Sequence, residues 1–230
     1  MGAPVSPALL RRLEQEILRR RDGSVLRVAI DGVDGAGKTT LADALAGALA
    51  AHRVSVIRAS VDGFHHPRAA RYRLGRESPE GFFRDSYDHG ALTRVLLDPL
   101  SPGGTGRYRT PVFDRRSDRP VDAAEERAEI GSVLIVDGIF LHRPELRGYW
   151  DFSVFLDVRF EISIPRGAQR GEGSPDPLAP DNRRYVEGQR LYLRECDPKA
   201  HATMVVGYDD LAAPSIVEDP RDAGSAAPVR

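Results

Sequence analysis

The segment from Gly32 to Thr39 constrains this chain more than any other, because its sequence Gly-Val-Asp-Gly-Ala-Gly-Lys-Thr fits the pattern G-x-x-x-x-G-K-[ST]. An apolar run before it (residues 25–30) predicts a buried strand, and a run rich in Ala and Leu after it (residues 40–52) predicts a helix. A glycine-rich turn between a strand and a helix directs its backbone N–H groups at phosphate oxygens, and the helix adds the positive end of its dipole. The segment therefore predicts a site for the phosphates of a nucleotide.

The residue types of this phosphate loop (Gly32–Thr39) each contribute a distinct chemistry. Glycine permits the backbone dihedral angles of a tight wrap. The Lys38 ammonium group is expected to reach the β- and γ-phosphates, and the Thr39 hydroxyl is expected to ligate Mg²⁺. We therefore expect ATP and Mg²⁺ as cofactors. The residues expected to bind the nucleotide are Gly32, Asp34, Gly35, Ala36, Gly37, Lys38, Thr39 and Thr40.

The composition narrows the class of protein further. A chain of 230 residues, 41% of them hydrophobic, is long enough for one packed domain. A net charge of −1, with arginines scattered among acids, gives no basic surface for nucleic acid. No apolar run is long enough to cross a membrane, and residues 1–22 lack the pattern of a signal peptide. The single cysteine, Cys196, cannot form an internal disulfide, which fits a cytoplasmic protein. The sequence leaves a homo-oligomer open.

Strands that alternate with helices along the chain predict an α/β fold of the P-loop NTPase type. We expect a parallel sheet of about five strands with helices on both faces. Hydrophobic periodicity, interrupted by Gly and Pro, indicates a single domain with an N-terminal helix in residues 1–22, a core in residues 25–213 and a C-terminal tail in residues 214–230. A small lid is predicted within the core, in residues 165–184.

Two acids follow predicted strands and are candidates for the chemistry. Asp137 ends the apolar run 133–138, where a carboxylate in nucleotide-binding folds holds Mg²⁺ directly or through water. Asp62 follows the predicted strand of residues 53–60 and precedes Gly63, so it is either a turn residue or a functional carboxylate at the strand's carboxyl end. We predict Asp62 as the base that accepts the proton of an acceptor hydroxyl, and as a further metal ligand.

Several activities could use such a site. A GTPase requires Asn-Lys-x-Asp to recognise guanine, but the only asparagine, Asn182, precedes an arginine. A remodelling ATPase usually needs a longer chain. A small-molecule kinase needs an acid beside the acceptor and a lid that excludes water. Arg166 and Arg170 at the base of the predicted lid would neutralise transition-state charge, or they would form solvated surface. A regulatory protein that binds nucleotide without turnover remains an alternative.

At this point the chain resembles the uridine kinase and phosphoribulokinase superfamily over roughly residues 25–213. The resemblance rests on the phosphate loop, Val61-Asp62-Gly63-Phe64-His65, Pro111-Val112-Phe113-Asp114, the strand ending at Asp137 and the arginine-bearing lid. It implies Asp62 as the base on a nucleoside 5′-hydroxyl. It also implies a substrate pocket that contains His65, Asp85, Phe113, Asp114, Arg119 and Gln189.

The chain also departs from the superfamily pattern. Residues 115–117 contain no pocket histidine, Gly171 stands where an Arg-Asp pair is usual, and Pro165 is expected to interrupt the lid. These departures concern the acceptor more than the reaction. We expect a small-molecule substrate, with a pyrimidine nucleoside as the first choice and pantothenate, a sugar or a nucleoside monophosphate as alternatives.

Overall fold

The computed structural model describes residues 5–171 and 173–218. Its strands are β1 Leu26–Gly32, β2 Val56–Ser60, β3 Arg107–Tyr108, β4 Phe113–Asp114, β5 Arg119–Pro120, β6 Glu126–Arg127, β7 Val133–Gly138, β8 Phe152–Asp157, β9 Met204–Gly207 and β10 Ser215–Glu218. Its α-helices are α1 Pro7–Arg20, α2 Lys38–Ala51, α3 Arg68–Arg71, α4 Pro79–Asp85, α5 His89–Leu92, α6 Phe160–Ala168, α7 Pro180–Cys196 and α8 Pro198–His201. Short 3₁₀ turns occupy Val61–Phe64 and Arg147–Tyr149, and Thr93–Leu97 forms one turn of π-helix.

One six-stranded sheet organises the molecule, with the strand order β10-β9-β8-β1-β7-β2. The five strands from β9 to β2 are parallel, and β10 runs antiparallel to β9 at the edge. The predicted α/β fold with about five parallel strands is therefore confirmed. Asp137 of β7 is in register with Ile30 of β1 and with Ser60 of β2, so these three strands end at the same edge. That edge carries the phosphate loop, Asp62 and Asp137.

Helices cover both faces of the sheet, because alternate side chains of the buried strands point to opposite sides. On one face, Val28 and Ile135 pack with apolar residues of α1 and α2 such as Leu13 and Leu45. On the other face, Val136 and its neighbours pack with aromatic and aliphatic residues of α4, α5 and α7. Among the described residues, no helix combines the length and apolar character needed to span a bilayer.

Part of the predicted C-terminal tail, residues 214–230, belongs to the sheet. Residues 215–218 form β10, in which Ser215 pairs with Gly207 and Ile216 with Val206. The two β-branched residues Ile216 and Val217 suit an edge strand, but a run of four among Pro, Ala and Asp is too short to predict from its pattern. Residues 1–4 of the predicted N-terminal segment and 219–230 of the predicted tail lie outside the described residues.

The predicted lid, residues 165–184, consists of the end of α6, a connecting segment and the start of α7. Pro165 does not interrupt α6, contrary to the sequence prediction, because the helix continues to Ala168. Proline removes one N–H donor, but its fixed φ is compatible with a helix. Hydrogen bonds persist on both sides of it, from Ser163 N to Arg159 O (2.9 Å) and from Gln169 N to Pro165 O (3.1 Å).

Candidate active site

The phosphate loop joins β1 to α2 through left-handed glycines. Gly35 has a φ of 73° and Gly37, the residue before α2, a φ of 95°. A Cβ on Gly35 would lie 2.0 Å from the Ser163 carbonyl oxygen of α6. Glycine at this position therefore permits both the turn and the close approach of the lid's first helix. Because α2 begins at Lys38, its N-terminus faces the loop, as a phosphate site requires.

Side chains at the end of the loop contact the neighbouring strand. Lys38 Nζ donates to the Val33 carbonyl across the loop at 2.8 Å, and the Thr39 hydroxyl donates to Oδ2 of Asp137 at 2.6 Å. The other carboxylate oxygen of Asp137 pairs with Arg58 of β2 at 2.9 Å. The buried Asp137 carboxylate is thus oriented from two sides.

The Thr39–Asp137 pair fits a magnesium ion, because Mg²⁺ prefers oxygen ligands and usually keeps several waters and substrate phosphates. The described residues contain no group of three or more His, Cys, Asp or Glu that could hold a metal ion by itself. Thr39 would supply a hydroxyl ligand and Asp137 a carboxylate, with the phosphates completing the shell.

Asp62 lies on the 3₁₀ turn that follows β2. Its backbone N–H donates to Ser60 Oγ at 3.3 Å, and its Oδ1 accepts a hydrogen bond from the Tyr87 hydroxyl at 3.1 Å. Burial, and next the neighbouring Asp62 carboxylate, raise the pKa of Tyr87 well above its usual value. The Tyr87 hydroxyl therefore stays protonated and acts as the donor in this pair.

His65 contacts the backbone of the same 3₁₀ turn. Its Nδ1 donates to the Asp62 carbonyl oxygen at 2.9 Å, and its ring packs against Tyr87 with centroids 4.4 Å apart and the ring planes tilted by 53°. Burial lowers the pKa of His65, so the ring favours its neutral form. The structure thus places His65 beside Asp62, in contact with the backbone of the proposed base.

These elements enclose one polar cleft of about 100 Å³. Complete ligand pockets span roughly 300–1,000 Å³, so this cleft corresponds to the phosphate-transfer part of a larger site. The cleft is lined by Asp34, Gly35, Lys38, Thr39, Ser60, Asp62, Tyr87, Asp137, Gly138, Ile139 and Arg170. The loop, both predicted acids and one lid arginine therefore meet in one place.

The two predicted catalytic arginines of the lid differ in position. Arg170 lines the cleft. Arg166 instead donates to the backbone carbonyls of Tyr208 (3.0 Å) and Asp209, so its guanidinium is turned to the segment after β9. The charge-neutralising role predicted for Arg166 stays a prediction, and in this structure backbone acceptors on the neighbouring segment hold its guanidinium.

None of the six predicted substrate residues lines the cleft. Besides His65, which contacts the Asp62 backbone, four of them lie on α4 and on the hairpin of β4 and β5. Asp85 forms an ion pair with Arg73 (3.2 Å), which directs its carboxylate away. Asp114 closes its own turn by accepting from Ser117 Oγ at 2.7 Å, a local use that Asp commonly has in turns. The other two are on the same short hairpin: Phe113 is buried on β4, and Arg119 is exposed on β5.

Gln189, the remaining predicted substrate residue, contacts the phosphate loop. Its Oε1 accepts the backbone N–H of Asp34 at 2.6 Å, and its Nε2 donates to the Tyr185 carbonyl at 3.0 Å. Both ends of the amide are engaged within the protein. Gln189 therefore contacts the phosphate loop in this structure, and its role at a substrate stays a prediction.

Sequence reasoning missed three contributors to the site. Tyr87 and Ser60 line the cleft, and Arg58 holds Asp137. The bridge between His65 and Tyr87 brings Tyr87 to Asp62 over a long separation, for which no local pattern exists. An arginine on the solvent side of an edge strand is likewise indistinguishable from surface charge.

A parallel sheet with a phosphate loop, a carboxylate on the neighbouring strand and an arginine-bearing lid defines a P-loop kinase. The model of the Phosphoribulokinase / Uridine kinase family matches residues 27–172, and the chain belongs to this family. No curated protein sequence matches the chain significantly.

Solved structures with the same fold agree with that family. One is a possible uridine kinase from Bacillus stearothermophilus, with 25% identity, a TM-score of 0.68, and coverage of 85% of this chain and 96% of that chain. A second is a "putative fructose transport system kinase" from Silicibacter sp. TM1040, with 27% identity, a TM-score of 0.64, and coverage of 80% and 94%. The phosphoribulokinase from Rhodobacter spheroides, 14% identical with a TM-score of 0.57 and coverage of 81% and 71%, shares the fold.

Proposed function

We propose that this protein is an ATP-dependent kinase that transfers the γ-phosphoryl group to a hydroxyl of a small molecule, with Asp62 as the base. The observation that supports this most directly is the placement of Asp62 in the same cleft as Lys38, Thr39 and Asp137. A triphosphate bound by the loop would have its terminal phosphorus on the side of Asp62. The acceptor hydroxyl would then approach between them.

The proposed reaction divides among the cleft residues. Asp62 accepts the hydroxyl proton as the acceptor oxygen bonds to the γ-phosphorus, and the bond to the β–γ bridging oxygen breaks to release ADP. Lys38 and Arg170 offset the negative charge spread over the transferred group. Mg²⁺, when bound by Thr39 and Asp137, would add to that neutralisation. The Tyr87 hydroxyl orients the carboxylate of Asp62.

For the acceptor, a pyrimidine nucleoside such as uridine or cytidine is the first candidate, and the similarity to a possible uridine kinase supports it. A sugar is the second candidate. Two carboxylates that were expected to bind a nucleoside are engaged within the protein instead, since Asp85 pairs with Arg73 and Asp114 accepts from Ser117. These contacts favour a sugar over a nucleoside. The "putative fructose transport system kinase" among the similar structures agrees with this alternative.

The proposal is tested by measuring ADP release from ATP and Mg²⁺ with a panel of nucleosides, sugars, pantothenate and nucleoside monophosphates. Turnover that depends on one of these acceptors is the expected result. If a sugar turns over while uridine and cytidine are inert, the nucleoside assignment is rejected and the kinase remains. ATP binding without any acceptor-dependent turnover would instead identify a regulatory nucleotide-binding protein.

The role of Asp62 is tested by Asp62→Asn, which keeps the volume and removes the base. We expect transfer to fall by about 10²-fold or more while ATP affinity changes little. Equal losses of transfer and ATP affinity would assign Asp62 to metal binding or structure. Asp122→Asn, at an exposed acid between β5 and β6, controls for the loss of one carboxylate.

A further inference from the structure

Helix α7, which follows the lid, contacts the phosphate loop directly. Gln189 of this helix is almost fully buried, and its Oε1 accepts the N–H of Asp34, a residue that lines the cleft. A buried amide with both ends satisfied stays in one orientation, because any other would leave a polar group unpaired. The N–H direction at the third residue of the loop is therefore set by a side chain 155 positions away.

A second contact from the same face of α7 holds the residue before the loop. Tyr192, three positions after Gln189 and so on the same helix face, donates its hydroxyl to Oδ2 of Asp31. The other carboxylate oxygen of Asp31 accepts the N–H of Gly32 at 2.7 Å. Burial, and next the charge of Asp31, raise the pKa of Tyr192 well above its usual value, so the hydroxyl remains a donor.

The Asp31–Tyr192 pair also includes the segment that follows β7. His142 donates to Oδ2 of Asp31 from its ring Nδ1 (2.7 Å) and from its backbone N–H (3.1 Å). All three side chains are at most 3% exposed. The carboxylate thus has several donors in a low-dielectric site, where each hydrogen bond is strong and a missing one is costly.

Helix α7 is closely packed against α4, so it can hold the phosphate loop in one position through Gln189 and Tyr192. A Cβ on Gly188 would lie 2.8 Å from both the Phe82 ring and the Pro79 carbonyl oxygen, which shows that α7 and α4 approach closely. The Tyr185 ring meets Phe82 edge-on with centroids 4.9 Å apart. The helix that carries Gln189 and Tyr192 is therefore anchored to α4.

We propose that Gln189 and Tyr192 are positioning residues, through which the helix after the lid sets the shape of the phosphate loop before nucleotide arrives. Gln189 orients the loop at Asp34, and Tyr192 orients its start through Asp31 and Gly32. The inference rests on the proposed function for its ligand, ATP. The role proposed here for Gln189 differs from the substrate contact that the resemblance implied, because its amide is bound to the backbone of Asp34 and of Tyr185.

The test compares Gln189→Met and Tyr192→Phe with the unaltered protein. Methionine keeps the length of glutamine without its acceptor, and phenylalanine removes only the hydroxyl. We expect the Kd for ATP, measured by calorimetry without acceptor, to rise about threefold to tenfold in each variant. The KM for ATP should rise with it, while kcat and the KM for the acceptor change less. Amide hydrogen exchange in the phosphate loop should accelerate in Gln189→Met.

Matched controls are Tyr185→Phe, the same change on the same helix at a residue 38% exposed, and Gln15→Met on the exposed face of α1. Both should bind ATP as the unaltered protein does. Thermal unfolding of every variant distinguishes loss of fold from loss of loop shape. Unchanged ATP affinity in both folded variants overturns the inference, as does a rise confined to the KM for the acceptor. Failure of the unaltered protein to bind ATP would reject the proposed function instead.

Discussion

The Tyr87 hydroxyl donates a hydrogen bond to Oδ1 of Asp62 at 3.1 Å, although the two residues are 25 positions apart in the chain. The backbone bridge between His65 and Tyr87 holds Tyr87 near Asp62, and the His65 ring packs against the Tyr87 ring. This contact engages one carboxylate oxygen of Asp62. The proposed base is thereby oriented in the cleft before any acceptor binds, which is the preorganisation that phosphoryl transfer requires.

Tyr87→Phe is expected to lower kcat about tenfold or more, because a hydrogen bond to a charged carboxylate is removed while the ring and its packing stay. Steady-state kinetics with the acceptor identified by the panel provide the measurement. Tyr149→Phe is the matched control, since it removes a hydroxyl that donates to Asp98 at 2.7 Å outside the cleft lining. If both variants lose activity equally, the Tyr87 hydroxyl has no special role at Asp62.

The parts of the site that sequence could predict are those with local signals. The phosphate loop has a fixed spacing, and Asp62 and Asp137 each follow an apolar run. In a parallel sheet such ends meet at one edge, so their proximity to the loop follows from the strand pattern alone.

The parts of the site that the sequence could not predict are the hydrogen-bond partners of polar side chains that have several possible acceptors or donors. Gln189 was expected to contact a substrate, and its hydrogen bond to the N–H of Asp34 depends on the packing of α7 against the loop. Arg166 and Arg170 have the same local chemistry, but backbone carbonyls after β9 take up Arg166. Such outcomes depend on long-range geometry, which residue type and spacing do not encode.

Replacing the two lid arginines should separate their roles. Arg170→Ala is expected to lower kcat about 100-fold, because a cation that lines the cleft is lost from the developing charge. Arg166→Ala should mainly raise the KM for ATP. Arg166 holds the segment that contains Tyr208, and the Tyr208 ring lies close to the phosphate loop, 3.4 Å from where a Cβ on Gly37 would be. Kinetics under ATP and acceptor titration distinguish these effects. A larger fall in kcat for Arg166→Ala than for Arg170→Ala would reverse the assignment.

Thr39→Ala is expected to raise the Mg²⁺ concentration for half-maximal activity about tenfold or more. The variant removes a hydroxyl ligand and the 2.6 Å hydrogen bond that orients Asp137. Magnesium titrations at saturating ATP provide the measurement, and a chelator should abolish activity in every variant. Thr39→Ser keeps the hydroxyl and should behave almost as the unaltered protein. If serine is as damaging as alanine, the methyl group rather than the oxygen of Thr39 is important.

Gly35→Ala should weaken ATP binding about tenfold or more, because its φ of 73° disfavours any side chain and its Cβ would meet the Ser163 carbonyl oxygen at 2.0 Å. Either the loop or α6 must move. Gly47→Ala is the matched control: this helical glycine has open space around it and should stabilise the fold by up to about 1 kcal/mol. Calorimetry and thermal unfolding of both variants test the contrast. Normal ATP affinity in Gly35→Ala would show that α6 can move away from the loop at little cost in free energy.

His89 should make the fold sensitive to mild acid. Burial, and next the Arg143 cation, lower the pKa of His89 to about 4, with His66 acting in the same direction and Glu145 and Asp88 opposing it. Nε2 of His89 has no hydrogen-bond partner among the described residues, so a proton there would be buried and unpaired. Between about pH 6.5 and this lowered pKa the unfolded chain binds a proton that the folded chain does not, and stability falls as pH falls.

The expected loss from this group is about 2 kcal/mol between roughly pH 7.5 and pH 5. Urea unfolding at both pH values measures it, and His89→Gln should lose correspondingly less stability over the same interval. The comparison uses each variant's own change with pH, so a general destabilisation by the substitution does not affect it. Equal pH dependence in His89→Gln and the unaltered protein would show that the His89 ring becomes protonated within the folded state.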